Sequence, residues 1–435
     1  MFVNDLINYV LIALLLAGFL LFTAFSVEKI FILLAFYVSS FEVRGYLIYF
    51  PGISIWYSWK ASYPLFGLLI LYWIVYLTRN KEHFIFNQMD KAVLVYLVVM
   101  FLGAFNGFFR GYDRMLVLYD FVSVPFFFGY FIFLYSPMKE KIGMFYDFLL
   151  SFAVFVGFQF IYAVTKFQTG FFLTRIVSEH IHIALFAAPY ATATLIFSTS
   201  RARKIISAIA LPILITGVIL CQQRSLYATT GLTMILLFGL YAYRRRAYIK
   251  THIRQFVRYT FLALALIIAI FLIAQSLSGG KFLTTISSRL FIFLNIGELN
   301  RDISWQIRWN EIDDALHGLG HFWLFGKGFG ASFITRFRYM LTLTVDQSYV
   351  YLIWKTGIIG LFTFLYLYFV FLKRGITTLL KRISDQDRIF LLAALLNIGG
   401  MMIVALANVS LPHYRLMFVW AGLFAATEAI ARKYD

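Results

Sequence analysis

The sequence predicts an all-α, polytopic integral membrane protein with about 12–13 transmembrane helices and one long structured outer loop. Three observations carry this expectation. Apolar residues fill 62% of the 435 positions and charged residues only 13%, against about 45–50% and about 25% in soluble domains. The apolar residues lie in runs that suit helices crossing a hydrocarbon layer about 30 Å thick. The basic residues fall in short clusters between those runs, as in Arg201–Lys204 and Arg244–Arg246.

The runs lie at roughly 5–26, 29–42, 62–78, 92–109, 115–135, 142–163, 183–199, 205–221, 226–243, 259–277, 348–372, 389–407 and 415–431. The first lacks a basic leader and a small-residue cleavage site, so it reads as a retained helix. The second is short and is either re-entrant or continued through Tyr46 and Leu47. The third is also short, which leaves an even span count open. Alternating the spans places Arg79/Lys81, Lys139/Lys141, Arg201/Arg203/Lys204, Arg244–Arg246, Lys373/Arg374, Lys381/Arg382 and Arg432/Lys433 on one side. The positive-inside rule makes that side cytoplasmic. The chain thus divides into membrane helices over 1–277, an outer loop over 278–347 and membrane helices over 348–435. The net charge of +18 is assigned to the lipid surface and not to nucleic acid. A lone cysteine, Cys221, excludes an internal disulfide and a cysteine metal cluster.

A loop of about 70 residues is far longer than ordinary connections and points to function. Its many aromatic residues argue for a folded segment, and Ile307, Ile312, Ala315 and Leu316 predict a helix over 304–316. The far face of that helix would carry Arg308, Glu311 and Asp314. A glycine-rich turn follows over Gly318–Gly330. The loop is unusually basic for this side, with Arg289, Arg301, Arg308, Lys327, Arg336 and Arg338. Guanidinium groups grip phosphate or pyrophosphate in a bidentate manner. The plainer reading has these residues snorkel to headgroups or pair with Asp302, Glu311, Asp313 and Asp314. Arg224 sits between two apolar runs with almost no loop, where a charge is costly and usually faces a cavity or partner.

In order, these residues are Gln223-Arg224-Ser225, Arg308-Trp309, Phe325–Gly330, Asp346–Leu352 and Gly357–Gly360. The series resembles the O-antigen ligase and polymerase superfamily of bacterial membrane glycosyltransferases over roughly 224–360. The resemblance implies a multi-pass protein of the bacterial inner membrane with its active site on the periplasmic side. The implied donor is an undecaprenyl-pyrophosphate-linked oligosaccharide, the acceptor a second glycan, and a chain-length regulator a further partner. Arg224 and Arg308 match the arginines implied in pyrophosphate binding. Asp346 stands where ligases show histidine, a departure that favours repeat-unit polymerisation over ligation onto lipid A core or another acceptor. The implied reaction is inverting and needs neither metal nor cofactor.

Asp346 is the candidate general base, although Asp just before an apolar helix also suits an N-cap. Lys355 lies about two turns into that helix, on the face of Tyr351 and roughly of Gln347. It either binds a phosphate or acidic sugar or pairs with a carboxylate such as Asp120. Further candidate substrate-binding residues are Arg301, Lys327, Arg336, Arg338, Gln347, Tyr351, His182 and His413. His317 and His321 have metal-compatible spacing, but two glycines between them weaken the helix and no ligand set accompanies them. Arg110-Gly-Tyr-Asp113-Arg114 reads as a tight turn closed by a local ion pair. A transporter or flippase is the rival class, but such proteins place charges near the midplane, whereas here they gather at the outer surface.

Overall fold

The computed structural model describes residues 26–40, 55–80, 84–166, 182–220, 224–244, 303–335, 341–342, 345, 347–406 and 414–435, with isolated positions between 268 and 276. The helices are α1 Val27–Ser40, α2 Ile55–Asn80, α3 Gln88–Phe109, α4 Arg114–Phe121, α5 Gly129–Leu134, α6 Ile142–Lys166, α7 His182–Phe197, α8 Arg201–Leu220, α9 Arg224–Arg244, α10 Ile303–Leu319, α11 Ser348–Leu380, α12 Asp385–Val404 and α13 Tyr414–Lys433. The described strands are β1 Phe333–Ile334 and β2 Leu341–Thr342, paired antiparallel with Phe333 opposite Thr342. The protein is an all-α, multi-pass membrane protein. Five helical stretches among the described residues are long and apolar enough to span: Gln88–Phe109, Arg114–Leu134, Arg201–Ile219, Ser348–Leu380 and Asp385–Val404.

The anticipated runs coincide with these helices, with instructive differences. The third is not short, because α2 extends over 26 residues. The run at 115–135 is not one continuous helix. It breaks into α4, a 3-10 turn at Pro125–Phe128 and α5, since proline removes a backbone donor and crowds the preceding turn. The runs at 5–26 and 259–277 and the continuation through Tyr46 and Leu47 lie outside the described residues, apart from those isolated positions.

Apolar patterning sorts the helices by depth. In α3, Met89, Ala92, Val93, Tyr96, Met100 and Gly103 face inward at helical spacing, while Leu94, Val98, Phe101, Leu102 and Phe105 are exposed. An apolar outer face on an apolar inner face is what lipid on one side and protein on the other select. By contrast, α13 is buried on every side from Leu416 to Glu428, so it forms the centre. Lipid offers no hydrophobic drive between helices, and small residues let their backbones approach. Thus α7 contributes buried Ala184, Ala187, Ala188 and Ala191 where it packs on α12, with its Ala393 and Ala394. Pro189 interrupts the α7 ladder, and the Asn397 amide donates to the nearby Phe186 carbonyl at 2.7 Å.

The basic clusters gather at one end. There Arg374 bridges Glu428 (3.0 Å), Arg432 bridges Glu428 (3.0 Å) and Asp90, Lys433 bridges Asp387 (2.9 Å) and Lys141 bridges Glu28 (2.6 Å). Asp90 and Glu428 are fully buried. Carboxylates at such depth persist only with charged partners and complete hydrogen bonding, and the Tyr130 hydroxyl adds a bond to Asp90 at 2.7 Å. The opposite end carries α10, the glycine-rich turn and the start of α11.

Candidate functional site at the loop end

The site begins with a break in α11. Gly357 has φ 72°, ψ −170°, a conformation that glycine adopts without steric cost. The break frees the carbonyls before it and the N–H groups after it, which must find partners. The loop supplies them. Lys327 N–H donates to Trp354 C=O (2.8 Å) and Gly328 N–H to Lys355 C=O (2.9 Å). In return Ile358 N–H donates to Trp323 C=O (2.8 Å) and Ile359 N–H to Leu324 C=O (3.3 Å). A Cβ on Gly357 would strike the Leu324 carbonyl, and one on Gly107 of α3 the Phe329 carbonyl. Gly326, Gly328 and Gly330 all have positive φ, so the turn follows a path open to few other residues.

Beneath the turn lies a buried ion pair. Lys355 is 0% exposed and Asp120 5%. The Lys355 ammonium donates to Asp120 Oδ2 and to the Ala331 carbonyl (2.7 Å). Gly330 N–H donates to Asp120 Oδ2 (2.7 Å), and the Tyr351 hydroxyl to Asp120 Oδ1 (3.0 Å). Of the two roles open to Lys355, the structure therefore selects the pair with Asp120. Each charge also holds one backbone group of the loop, so α4, α11 and the turn are tied at one point.

Above it, the Arg110 guanidinium lies 3.8 Å from the centroid of the Phe322 ring, and the Lys327 ammonium lies 5.1 Å from the same centroid and 5.6 Å from that of Trp354. Arg110 Nε donates to Asn106 Oδ1 (2.8 Å). The Asn106 amide donates in turn to the Gly326 carbonyl (3.3 Å). The local ion pair expected at 110–114 does not form. Asp113 instead caps α4, accepting from the N–H groups of Met115 (2.7 Å) and Leu116 (3.4 Å), because an N-terminal turn leaves donors unsatisfied. Burial, and then the neighbouring Arg110 charge, hold the Lys327 ammonium below the usual lysine range. The chain matches no protein-family model, and no curated protein resembles it at a significant level. The chemistry of this end rests on its own geometry.

Helix α10 covers the anticipated 304–316 and closes over α11 and β1. Ile312 and Ala315 are buried as expected, Ile307 and Leu316 are partly buried, and Leu319 beyond them is buried too, but Glu311 (4% exposed) and Asp314 (9%) turn inward with them. The outward face is instead Gln306, Trp309, Asn310, Asp313 and His317. The helix packs on α11 and β1, so these carboxylates lie against other protein. Arg308 sits half-buried on this helix. His317 pairs with Asp313 (2.9 Å), while His321 lies beyond the helix, its ring tilted against Phe322.

Gln347 takes the N-cap position of α11, and its side chain makes no capping hydrogen bond. The cap role considered for Asp346 therefore falls one residue later. Arg224 opens α9 and His182 opens α7, both at the loop end. Asp346, Arg301, Arg336, Arg338 and His413 lie outside the described residues. Of the anticipated set, the structure gathers Lys327, Tyr351 and Lys355 around the turn. Arg110 was not anticipated. Its signal was a cation on the less basic side of the span, at a turn whose acid is the cap.

Proposed function

We propose that the protein is a membrane glycosyltransferase that polymerises undecaprenyl-pyrophosphate-linked oligosaccharide repeat units on the outer face of the bacterial inner membrane. The observation that supports this reading most is the docking of residues 322–331 on the α11 break. It makes the described part of the long segment, 303–335, a built surface that carries cations at the ends of the membrane helices. A lipid-linked donor presents its pyrophosphate at that level, already activated for glycosyl transfer.

In the proposed reaction an acceptor sugar hydroxyl attacks the anomeric carbon of the donor. The bond from that carbon to the pyrophosphate oxygen breaks, and the pyrophosphate departs with its bonding electrons. Arg224 and Arg308 stabilise the charge that develops there. Asp346 takes the hydroxyl proton. Arg301, Lys327, Arg336, Arg338, Gln347, His182 and His413 line the path of the glycans, while Tyr351 and Lys355 act from below by holding the turn.

The test uses purified protein in proteoliposomes supplied with lipid-linked oligosaccharide. A ladder of longer glycans still on undecaprenyl pyrophosphate is expected. Delivery to a terminal acceptor in a single step marks a ligase, and movement across the bilayer without lengthening marks a transporter. Asp346→Asn should slow extension by about 10²–10⁴-fold, the range of general base catalysis. Extension at the parent rate in that variant removes Asp346 as the base.

A further inference from the structure

We infer that Arg110 and Lys327 form a second anion seat at the loop end, suited to the phosphate or diphosphate head of an amphiphile. It rests on the glycosyl-transfer reading for its role, which would be to hold the lipid-linked acceptor while Arg224 and Arg308 hold the donor. The site itself stands on geometry.

Two cations gather at the Phe322 ring, and the Arg110 charge disfavours the Lys327 ammonium, a repulsive cost that a bound anion would relieve. Among the described residues no carboxylate pairs with either one, since the nearby Asp113 is engaged as a helix cap. Arg110 is aimed by Asn106, whose amide is fixed in turn by the Gly326 carbonyl. Lys327 is held by its own backbone bond to Trp354. Both side chains are only half-buried, so their remaining donors are open to a ligand. Preorganised charge-assisted donors of this kind suit phosphate oxygens.

The surroundings indicate that the anion carries an apolar chain. Phe109, next to Arg110, is 88% exposed, and Phe105, Leu324 and Phe325 beside the turn are exposed as well. Residues at the end of an apolar span that present this much apolar surface lie against lipid. The seat is also distinct from Arg224. Helix α3, which ends at Arg110, packs on α11, whereas α9, which opens at Arg224, packs on α7 and α12.

Saturation binding of farnesyl diphosphate to the full chain in nanodiscs tests this assignment. Two equivalents per chain are expected for the parent and one for Arg110→Gln/Lys327→Gln, with the unfolding temperature unchanged. Each single substitution should weaken the affected site about tenfold, in line with the loss of one charge-assisted hydrogen bond. One equivalent in the parent and none in the double variant would retain this seat and remove the donor site of the transfer reading. Equal binding by parent and double variant overturns the seat. So does displacement of the probe from this site by phosphatidylglycerol at matched mole fraction, which would mark a general headgroup contact. Inorganic pyrophosphate, run in parallel, should bind more weakly than the probe; equal affinity overturns the part of the proposal that assigns an apolar chain.

Discussion

Lys355 is a charge buried inside the protein where the membrane helices meet the loop. It is held there because Asp120 neutralises it and the Ala331 carbonyl takes a second donor. Removing one partner of such a pair leaves the other buried and uncompensated. Lys355→Met should therefore cost about 3–5 kcal/mol. Asp120→Asn/Lys355→Met, which removes both charges, should recover much of that loss. Thermal unfolding followed by tryptophan fluorescence measures both. A double variant no more stable than the single one would show that the loop contacts, and not the paired charges, hold the site. The Lys355–Asp120 pairing was legible in the sequence as one of two options, because a lysine two turns into an apolar helix needs a counter-charge. Its hydrogen bond to Ala331 was not legible, since no local pattern links position 355 to a loop residue far along the chain.

At the scale of elements, the break at Gly357 decides how the loop sits. A straight α11 would satisfy its own backbone and offer the turn at 322–331 no free backbone groups to bind. Gly357→Ala places a Cβ against the Leu324 carbonyl and forces a positive φ on a residue that resists it. The turn should then detach. Ala331 is 1% exposed, so Ala331→Cys in a Cys221→Ser background reports the change. Maleimide labelling should be slow in that background and at least about tenfold faster once Gly357→Ala is added, if local opening becomes the dominant state. Equal rates would show that the turn docks without the break. Helix α10 was readable from its apolar spacing, but its facing was not. Glu311 and Asp314 belong on a solvated face by composition, yet the helix rests on α11 and the loop, and that contact turns them inward.

For the whole molecule, the clustering of Arg374, Lys381, Arg432 and Lys433 at one end and of the loop at the other sets a single polarity. The positive-inside rule predicts that the basic end is cytoplasmic. With Cys221 replaced by serine, Asn310→Cys on the outward face of α10 should react with a membrane-impermeant maleimide in intact cells, and Lys381→Cys only after permeabilisation. The reverse pattern would invert the topology and place the proposed chemistry on the wrong side for a lipid-linked donor.

Composition and run length by themselves determined that this is a multi-pass helical membrane protein, because burial of so much apolar surface admits few solutions and helices must satisfy their own backbone in lipid. Periodicity and charge placement likewise determined the location of most helices and of the basic end, since both are local properties of the chain. Tertiary structure alone decided which cations are neutralised and which stand open. Asp113 was free to pair until its helix took it as a cap, and Arg110 acquired its aromatic platform only when Phe322, more than two hundred residues away, folded over it.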